Sequence, residues 1–231
     1  ASAPRRSMSW WSQAMDRVKT VNHDLFYGDL EAETECDWVT FDPNENLALK
    51  WKTTSDSVWG GQSSCEFDVT PEGYGRFKGS LSLAMPPPNE ESGFLYGTTT
   101  QQPTKSGMCG FISHAGVLRS NLEDFNALRI RVKGDGRAYL FNLRTEALRQ
   151  GDLYQTIARP EKGEWQTLVL PISNFQLTHF GMVNMNTVTP NTRKLVNFGI
   201  TIADGKDGPF ELLVEYVEAY RDPSLPFEND C

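Results

Sequence analysis

The sequence predicts an all-β fold, a jelly-roll β-sandwich preceded by one short helix. After Glu35, apolar and polar residues alternate in short runs, as expected of half-buried strands. Gly, Pro, Asn and Asp separate these runs, and such residues favour turns. Eleven strand-length segments and one helical pattern indicate two stacked antiparallel sheets.

The helical pattern covers residues 10–27, where apolar side chains recur at helical spacing. Ser9 can cap its N-terminus and Gly28 can end it. We therefore expect an N-terminal segment, 1–34, that contains this amphipathic helix. A jelly-roll domain, 35–231, is expected to follow it.

The strongest strand signal lies in residues 127–145, where two alternating runs flank Gly134-Asp135-Gly136. This pattern predicts a hairpin that the Gly-Asp-Gly turn closes. The other predicted strands are 38–41, 47–52, 64–69, 76–83, 110–114, 153–158, 165–170, 196–203 and 210–220.

Two connections are longer than compact domains usually carry. Residues 86–108 contain three consecutive prolines and predict a mobile insertion. Residues 173–194 are richer in apolar side chains. They are expected either to cover one end of the sandwich or to form a contact surface for a partner.

The composition is that of a folded, acidic protein. Hydrophobic residues make up 39% of the chain, and the mean hydropathy is -0.46. The formal net charge of -8 disfavours binding to nucleic acid or to anionic lipid. Apolar runs are far shorter than the roughly 20 residues that a membrane-spanning helix needs, so membrane contact is expected to be peripheral or through a partner.

The four cysteines are widely spaced and form no CxxC pair. We expect no zinc or redox motif and mostly reduced thiols, which favours an intracellular or matrix compartment. Arg5 and Arg6 lie near the start of the sequence without an acidic neighbour. This pattern fits either the remnant of an organellar presequence or a disordered terminus.

We expect no catalytic residues, no bound metal and no cofactor. None of the three histidines lies in a nucleophile elbow, and the glycine pairs lead into strands rather than into a phosphate-binding helix. Residues 203–208 are oxygen-rich like a calcium loop, but a tight hairpin loop is the simpler interpretation. Four acids could suit a glycosidase but are better explained as turn tethers, namely Asp56, Asp135, Glu146 and Asp204.

Five short motifs follow one another in order along the chain. They are Trp51 with Ser55-Asp56, Trp59-Gly60-Gly61-Gln62-Ser63, Gly134-Asp135-Gly136-Arg137-Ala138-Tyr139, Gly163-Glu164-Trp165, and Phe198-Gly199-Ile200 through Ala203-Asp204 to Gly208-Pro209-Phe210. This set resembles the complex I intermediate-associated protein 30 family, whose members show W…SD…GGxS, GDGRxY, GxW and FGxxIADxxxGPF in this order.

The resemblance implies a jelly roll of the galactose-binding or carbohydrate-binding-module type. It also implies a non-catalytic chaperone for mitochondrial respiratory complex I, on the matrix side of the inner membrane. The implied partners are other assembly factors and membrane-arm assembly intermediates. The chain departs from the family after Phe175, where Phe180-Gly181-Met182 replaces the usual Arg-Gly pair, and in its long 86–108 insertion.

Candidate binding residues lie in the motifs and in the apolar connection. They are Trp59, Gly60, Gly61, Ser63, Asp135, Arg137, Arg144, Tyr154, Phe180 and Met182. The guanidinium groups of the two arginines can bind a carboxylate or stack on a ring. The alternative function is a carbohydrate-binding module or lectin, in which Trp51, Trp59 and Tyr154 form an aromatic platform unless they are ordinary core.

Overall fold

The computed structural model describes residues 34–84, 106–146, 148–184 and 188–225. Along these residues run β1 (Glu35–Val39), β2 (Trp51–Ser55), β3 (Ser64–Val69), β4 (Gly75–Leu81), β5 (Cys109–Ser113), β6 (Ala127–Lys133), β7 (Tyr139–Thr145), β8 (Asp152–Ala158), β9 (Trp165–Pro171), β10 (Gln176–His179), β11 (Met182–Val183), β12 (Leu195–Ile202) and β13 (Gly208–Tyr220). The helix expected at 10–27 lies outside the described residues, as does most of the 86–108 insertion, so both stay predictions.

The strands form two antiparallel sheets. The six-stranded sheet has the order β3-β4-β13-β6-β9, and β1 pairs with the C-terminal half of the long central strand β13. The seven-stranded sheet has the order β11-β10-β8-β7-β12-β5-β2. The prediction of an all-β sandwich is confirmed.

Aromatic side chains join the two sheets in the core. Trp51 and Phe111 come from the seven-stranded sheet and Phe67 from the other. The rings of Phe67 and Phe111 stack with their centroids 4.2 Å apart, and Trp51 lies 5.4 Å from each of them. Such contacts between large buried rings supply much of the burial that holds a sandwich together.

The hairpin predicted for residues 127–145 is wrong. β6 pairs with β13 and β9 in one sheet, whereas β7 pairs with β12 and β8 in the other. The Gly134-Asp135-Gly136 turn therefore carries the chain across the sandwich. Both runs alternate in the same way because each sheet buries only one of its faces, and alternation alone does not identify a strand's partner.

Two smaller expectations are also wrong. Leu47–Lys50 is a single helical turn, α1, which Asn46 caps by accepting a hydrogen bond from the Ala48 N–H, and only β2 after it is a strand. Residues 203–208 do not close a hairpin, because β12 and β13 lie in different sheets. In the described part of the chain, no helix is long and apolar enough to cross a membrane.

Candidate functional site

Asp56 is a fully buried carboxylate at the end of β2. Its Oδ1 accepts a hydrogen bond from the Ser63 N–H at 2.9 Å. Its Oδ2 accepts from the Ser63 and Ser106 hydroxyls at 2.8 and 2.9 Å and from the Gly107 and Met108 N–H groups at 2.5 and 3.2 Å. Five donors thus replace the water that the charge loses on burial.

The glycine pair of the second motif makes room for Asp56. Gly60 ends the 3-10 turn Asp56–Trp59 with a φ of 91°, a conformation that glycine adopts at little cost. A Cβ on Gly61 would lie 2.3 Å from Cγ of Asp56. Burial by itself would raise the pKa of Asp56, but hydrogen bonds from Gly107, Ser63 and Ser106 outweigh it and hold the pKa below its usual value.

Asp56 also brings together the two described ends of the long insertion. Ser106 and Gly107, at the C-terminal end of the insertion, donate hydrogen bonds to its carboxylate. Ser82, which precedes the insertion, donates its N–H to Ser63 Oγ at 3.0 Å. Its carbonyl oxygen lies 3.1 Å from Ser106 Oγ, whose hydroxyl is shared between this carbonyl and Asp56. We define Asp56, Ser63, Ser82, Ser106 and Gly107 as the Asp56 clamp.

A second polar cluster surrounds Arg137. Its guanidinium binds both carboxylate oxygens of Asp204, at 3.1 and 2.5 Å, and the side chains are only 10% and 5% exposed. It also donates to the carbonyl oxygens of Lys206, Gly208 and Pro209. We define Arg137, Asp204 and these three carbonyls as the Arg137 clamp, which ties the loop between β12 and β13 to the turn before β7.

Asp135 fastens the same end of the sandwich. Its Oδ1 accepts from the Arg137 N–H at 2.9 Å, and its Oδ2 accepts from the Tyr139 hydroxyl at 3.1 Å and the Glu211 N–H at 2.9 Å. The hydrogen bond to Asp204 and the nearby carboxylates raise the pKa of Arg137. Burial would raise the pKa of Asp204, but the bonded guanidinium keeps it below its ordinary value.

Several predicted binding residues therefore lie in the interior of the sandwich. Ser63, Arg137 and Tyr154 are 2%, 9% and 6% exposed. Trp51 and Tyr154 are core residues and do not form an aromatic platform on the surface, because both rings lie between the sheets. The side chain of Trp59 lies outside the described part of the chain.

The outer face of the six-stranded sheet is covered by ion pairs between neighbouring strands. Arg76 pairs with Asp68 at 2.7 Å and Lys78 with Glu66 at 2.8 Å. Arg129 pairs with Glu218 and Glu35 at 2.6 and 2.7 Å. Exposed ion pairs of this kind each contribute little to stability.

The outer face of the seven-stranded sheet carries a neutral polar ladder across four strands. The Thr178 hydroxyl donates to Gln155 Oε1 at 2.8 Å, Gln155 Nε2 to Asn142 Oδ1 at 2.7 Å, and Asn142 Nδ2 to Thr201 Oγ1 at 2.8 Å. The predicted site residue Arg144 alternates with the core residues of β7 and is half-buried on this face. The ladder therefore links β10, β8, β7 and β12 through side-chain hydrogen bonds.

The connection 173–194 divides into a buried part and an exposed part. Phe175 packs into the interior at 2% exposure, as does Ile172, the residue just before the connection, at 6%. β10 and β11 then form a hairpin whose two loop residues, Phe180 and Gly181, both have positive φ, 47° and 77°. The segment therefore contributes both to the core and to the surface.

Phe180 is an unusual residue for this turn. Turns of two residues with positive φ strongly prefer Asn-Gly, and a bulky side chain there costs on the order of 1 kcal/mol. The Phe180 N–H donates to the Gly151 carbonyl at 2.8 Å, its ring lies against Gly151, and it contacts the His179 ring edge-on at 4.5 Å. The ring is held in place and remains 50% exposed.

The hairpin carries three large exposed apolar side chains, Phe180 in the turn and Met182 and Val183 at successive positions of β11, where neighbouring side chains point to opposite faces. Phe180, Met182 and Val183 are 50%, 69% and 54% exposed, and β11 is the edge strand of its sheet. We name these three residues the hairpin patch. Clustered exposed apolar side chains commonly mark interaction sites, whereas isolated ones are ordinary.

Sequence reasoning named Phe180 and Met182 but missed Val183. A signal was present, because Val183 lies next to Met182 and close to Gly181, a residue that favours turns. Asp56 was treated as a turn tether and its burial was not foreseen. Among the described residues, no group of three or more His, Cys, Asp or Glu side chains could hold a metal ion.

The family model described as complex I intermediate-associated protein 30 (CIA30) matches residues 39–214. This range contains both clamps and the hairpin patch. The five sequence motifs thus map mainly to residues that fasten the two sheets and their crossover loops.

Among curated relatives, the Neurospora crassa protein named complex I intermediate-associated protein 30, mitochondrial, is 31% identical over 80% of this chain and 63% of its own length. The Drosophila melanogaster protein of that name is 28% identical over 95% of the chain and 73% of its own length. The mouse protein is 29% identical, and the chain spans about half of it, 53%.

Solved structures with a similar fold include the family 11 carbohydrate-binding module of a Clostridium thermocellum cellulase. It has a TM-score of 0.52 at 14% identity and covers 80% of this chain and 95% of the module. An agarase, AgWH50C, gives a TM-score of 0.51 at 9% identity over 83% of the chain and 25% of the enzyme. These likenesses confirm the carbohydrate-binding-module type of jelly roll and concern the fold alone. The family model and the relatives show that the chain belongs to the complex I intermediate-associated protein 30 family.

Proposed function

We propose that this protein is a non-catalytic chaperone that binds assembly intermediates of mitochondrial respiratory complex I. Membership of the family, whose curated members carry this name in animals and fungi, is the observation that supports the role most directly. The proposed location is the matrix side of the inner membrane. The proposed partners are other assembly factors and membrane-arm intermediates, and membrane association is proposed to be peripheral or through these partners.

The hairpin patch is the proposed contact surface. A subunit awaiting assembly exposes apolar surface that will later be buried, and an apolar patch on the chaperone can cover it in the meantime. The strained Phe180 supports this role, because Asn would suit the turn better and its ring is instead held half in solvent.

Replacing Val183 by Ser is expected to reduce several-fold the complex I subunits that co-purify with the tagged protein from mitochondria, because it removes apolar contact area from the patch. The amounts would be measured by quantitative mass spectrometry. Val183 is exposed, so the folded state should keep its stability to within about 0.5 kcal/mol.

Val169→Ser is the matched control. Val169 is 45% exposed on β9, in the ion-paired sheet, and undergoes the same chemical change. Co-purification should match the wild type. Equal losses from both variants would reject the hairpin patch as the contact surface, and an absence of complex I proteins from the wild-type sample would reject the assembly role.

A carbohydrate-binding function is the alternative suggested by the fold. One similar structure is a family 11 module in complex with a mixed-linked tetrasaccharide. Saccharide sites of this kind need exposed rings in a groove, whereas Trp51 and Tyr154 are buried. We therefore favour protein binding, and calorimetric titration with saccharides at millimolar concentration would separate the two functions.

A further inference from the structure

Two cysteines that are far apart in sequence meet between the sheets. Cys65 lies in β3 of the six-stranded sheet and Cys109 in β5 of the seven-stranded sheet. The Cys65 thiol lies 3.4 Å from the Thr54 carbonyl oxygen, and the next residue, Ser55, is the direct strand partner of Cys109. Cys109 belongs to the apolar core, Cys65 packs against the same core, and both thiols are free.

The two thiols differ in accessibility. Cys109 is fully buried, whereas Cys65 is half-buried and lines an open groove of about 470 Å³. The groove also includes Lys78, Gly79 and Phe210. The hydrogen bond with Cys109 lowers the pKa of the Cys65 thiol, against the effect of burial, while the same bond and burial raise the pKa of Cys109.

We propose that Cys65 and Cys109 are an oxidisable dithiol that a small-molecule disulfide, such as oxidised glutathione, converts into a disulfide between the two sheets. Cys65 is the more accessible thiol and suits the attacking role, whereas the buried Cys109 suits the resolving role.

The chemistry proceeds in two exchange steps. The Cys65 thiolate attacks one sulfur of glutathione disulfide, which forms a mixed disulfide and releases one glutathione thiolate. The Cys109 sulfur then gives up its proton and attacks Cys65 Sγ, which forms the Cys65–Cys109 bond and releases the second glutathione. The protein dithiol loses two electrons and two protons, and one glutathione disulfide becomes two glutathione thiols.

The bond would lock a region that hydrogen bonds already organise. Cys109 directly follows Met108, and Cys65 lies two residues after Ser63, and both of these neighbours donate to Asp56. A covalent link here would fix the base of the long insertion to both sheets. It restricts the unfolded chain, so oxidation should raise the melting temperature.

The test uses the folded protein incubated with excess oxidised glutathione, followed by thiol alkylation and proteolysis without reductant. Mass spectrometry should find the Cys65 and Cys109 peptides linked, and dithiothreitol should separate them. The Cys36→Ser variant should behave like the wild type, because Cys36 lies in β1 and is not part of the pair.

The Cys109→Ala variant supplies a second readout. Without the resolving thiol, the reaction should stop at one glutathione adduct on Cys65. If the wild type yields only separate adducts, or alkylated Cys65 and Cys109 after long incubation, the proposal is wrong. Should Cys109→Ala fail to fold, the linked peptide in the wild type decides the question alone.

Discussion

Replacing Asp56 by Ala is expected to lower the free energy of unfolding by about 3–5 kcal/mol, because the change leaves a network of buried donors without an acceptor. The side chain is fully buried and accepts from Ser63, Ser106, Gly107 and Met108. The base of the long insertion should loosen at the same time. Urea unfolding followed by tryptophan fluorescence measures the loss.

Asp124→Ala provides the control for the Asp56 clamp, because Asp124 is exposed in a turn. It should change stability by less than about 0.5 kcal/mol.

Acid unfolding tests the direction in which Asp56 makes stability depend on pH. The folded-state pKa of Asp56 is lowered, so its contribution to stability is present above the ordinary carboxyl pKa of 3.8 and is lost as pH falls through the folded-state pKa. Asp56→Asn should remove this part of the acid sensitivity, and an unchanged acid profile would contradict the clamp.

Replacing Arg137 by Lys should cost about 2–4 kcal/mol, although the charge is kept. The guanidinium binds Asp204 through two nitrogens and reaches the carbonyls of Lys206, Gly208 and Pro209. A lysine ammonium is a single point and cannot hold that planar arrangement, so a buried carboxylate and several carbonyls lose donors. The same urea titration measures the effect.

Arg144→Lys is the matched control for the Arg137 clamp. Arg144 lies in β7, half-buried on the outer face of the sheet, and undergoes the same substitution. We expect a cost below about 1 kcal/mol. Similar losses in the two variants would mean that the loop between β12 and β13 is not fastened by Arg137.

The sequence was sufficient to predict the sandwich because alternation and turn residues are local signals. Strand partners were not predictable in the same way. β6 and β7 follow each other with a short Gly-Asp-Gly turn, yet they lie in different sheets. That outcome depends on Arg137 and Asp135 binding residues 204–211, which are distant in sequence.

The candidate site was predictable in part. Phe180 and Met182 belong to the apolar connection that the sequence predicts as a cover or a contact surface, and their exposure fits the second alternative. The glycine and acid motifs were recognisable but their purpose was not, because burial decides it. Gly61 is packed against Asp56 and Ser63 is bonded to it. The contact of Cys65 with Cys109 had no local signal, since two strands of different sheets create it.

The most direct test of the proposed function is to delete the gene for this protein and resolve complex I by native gel electrophoresis. We predict that mature complex I falls, that membrane-arm subassemblies accumulate, and that the wild-type gene restores the normal pattern. Normal amounts of mature complex I in the deleted cells would contradict the role in assembly.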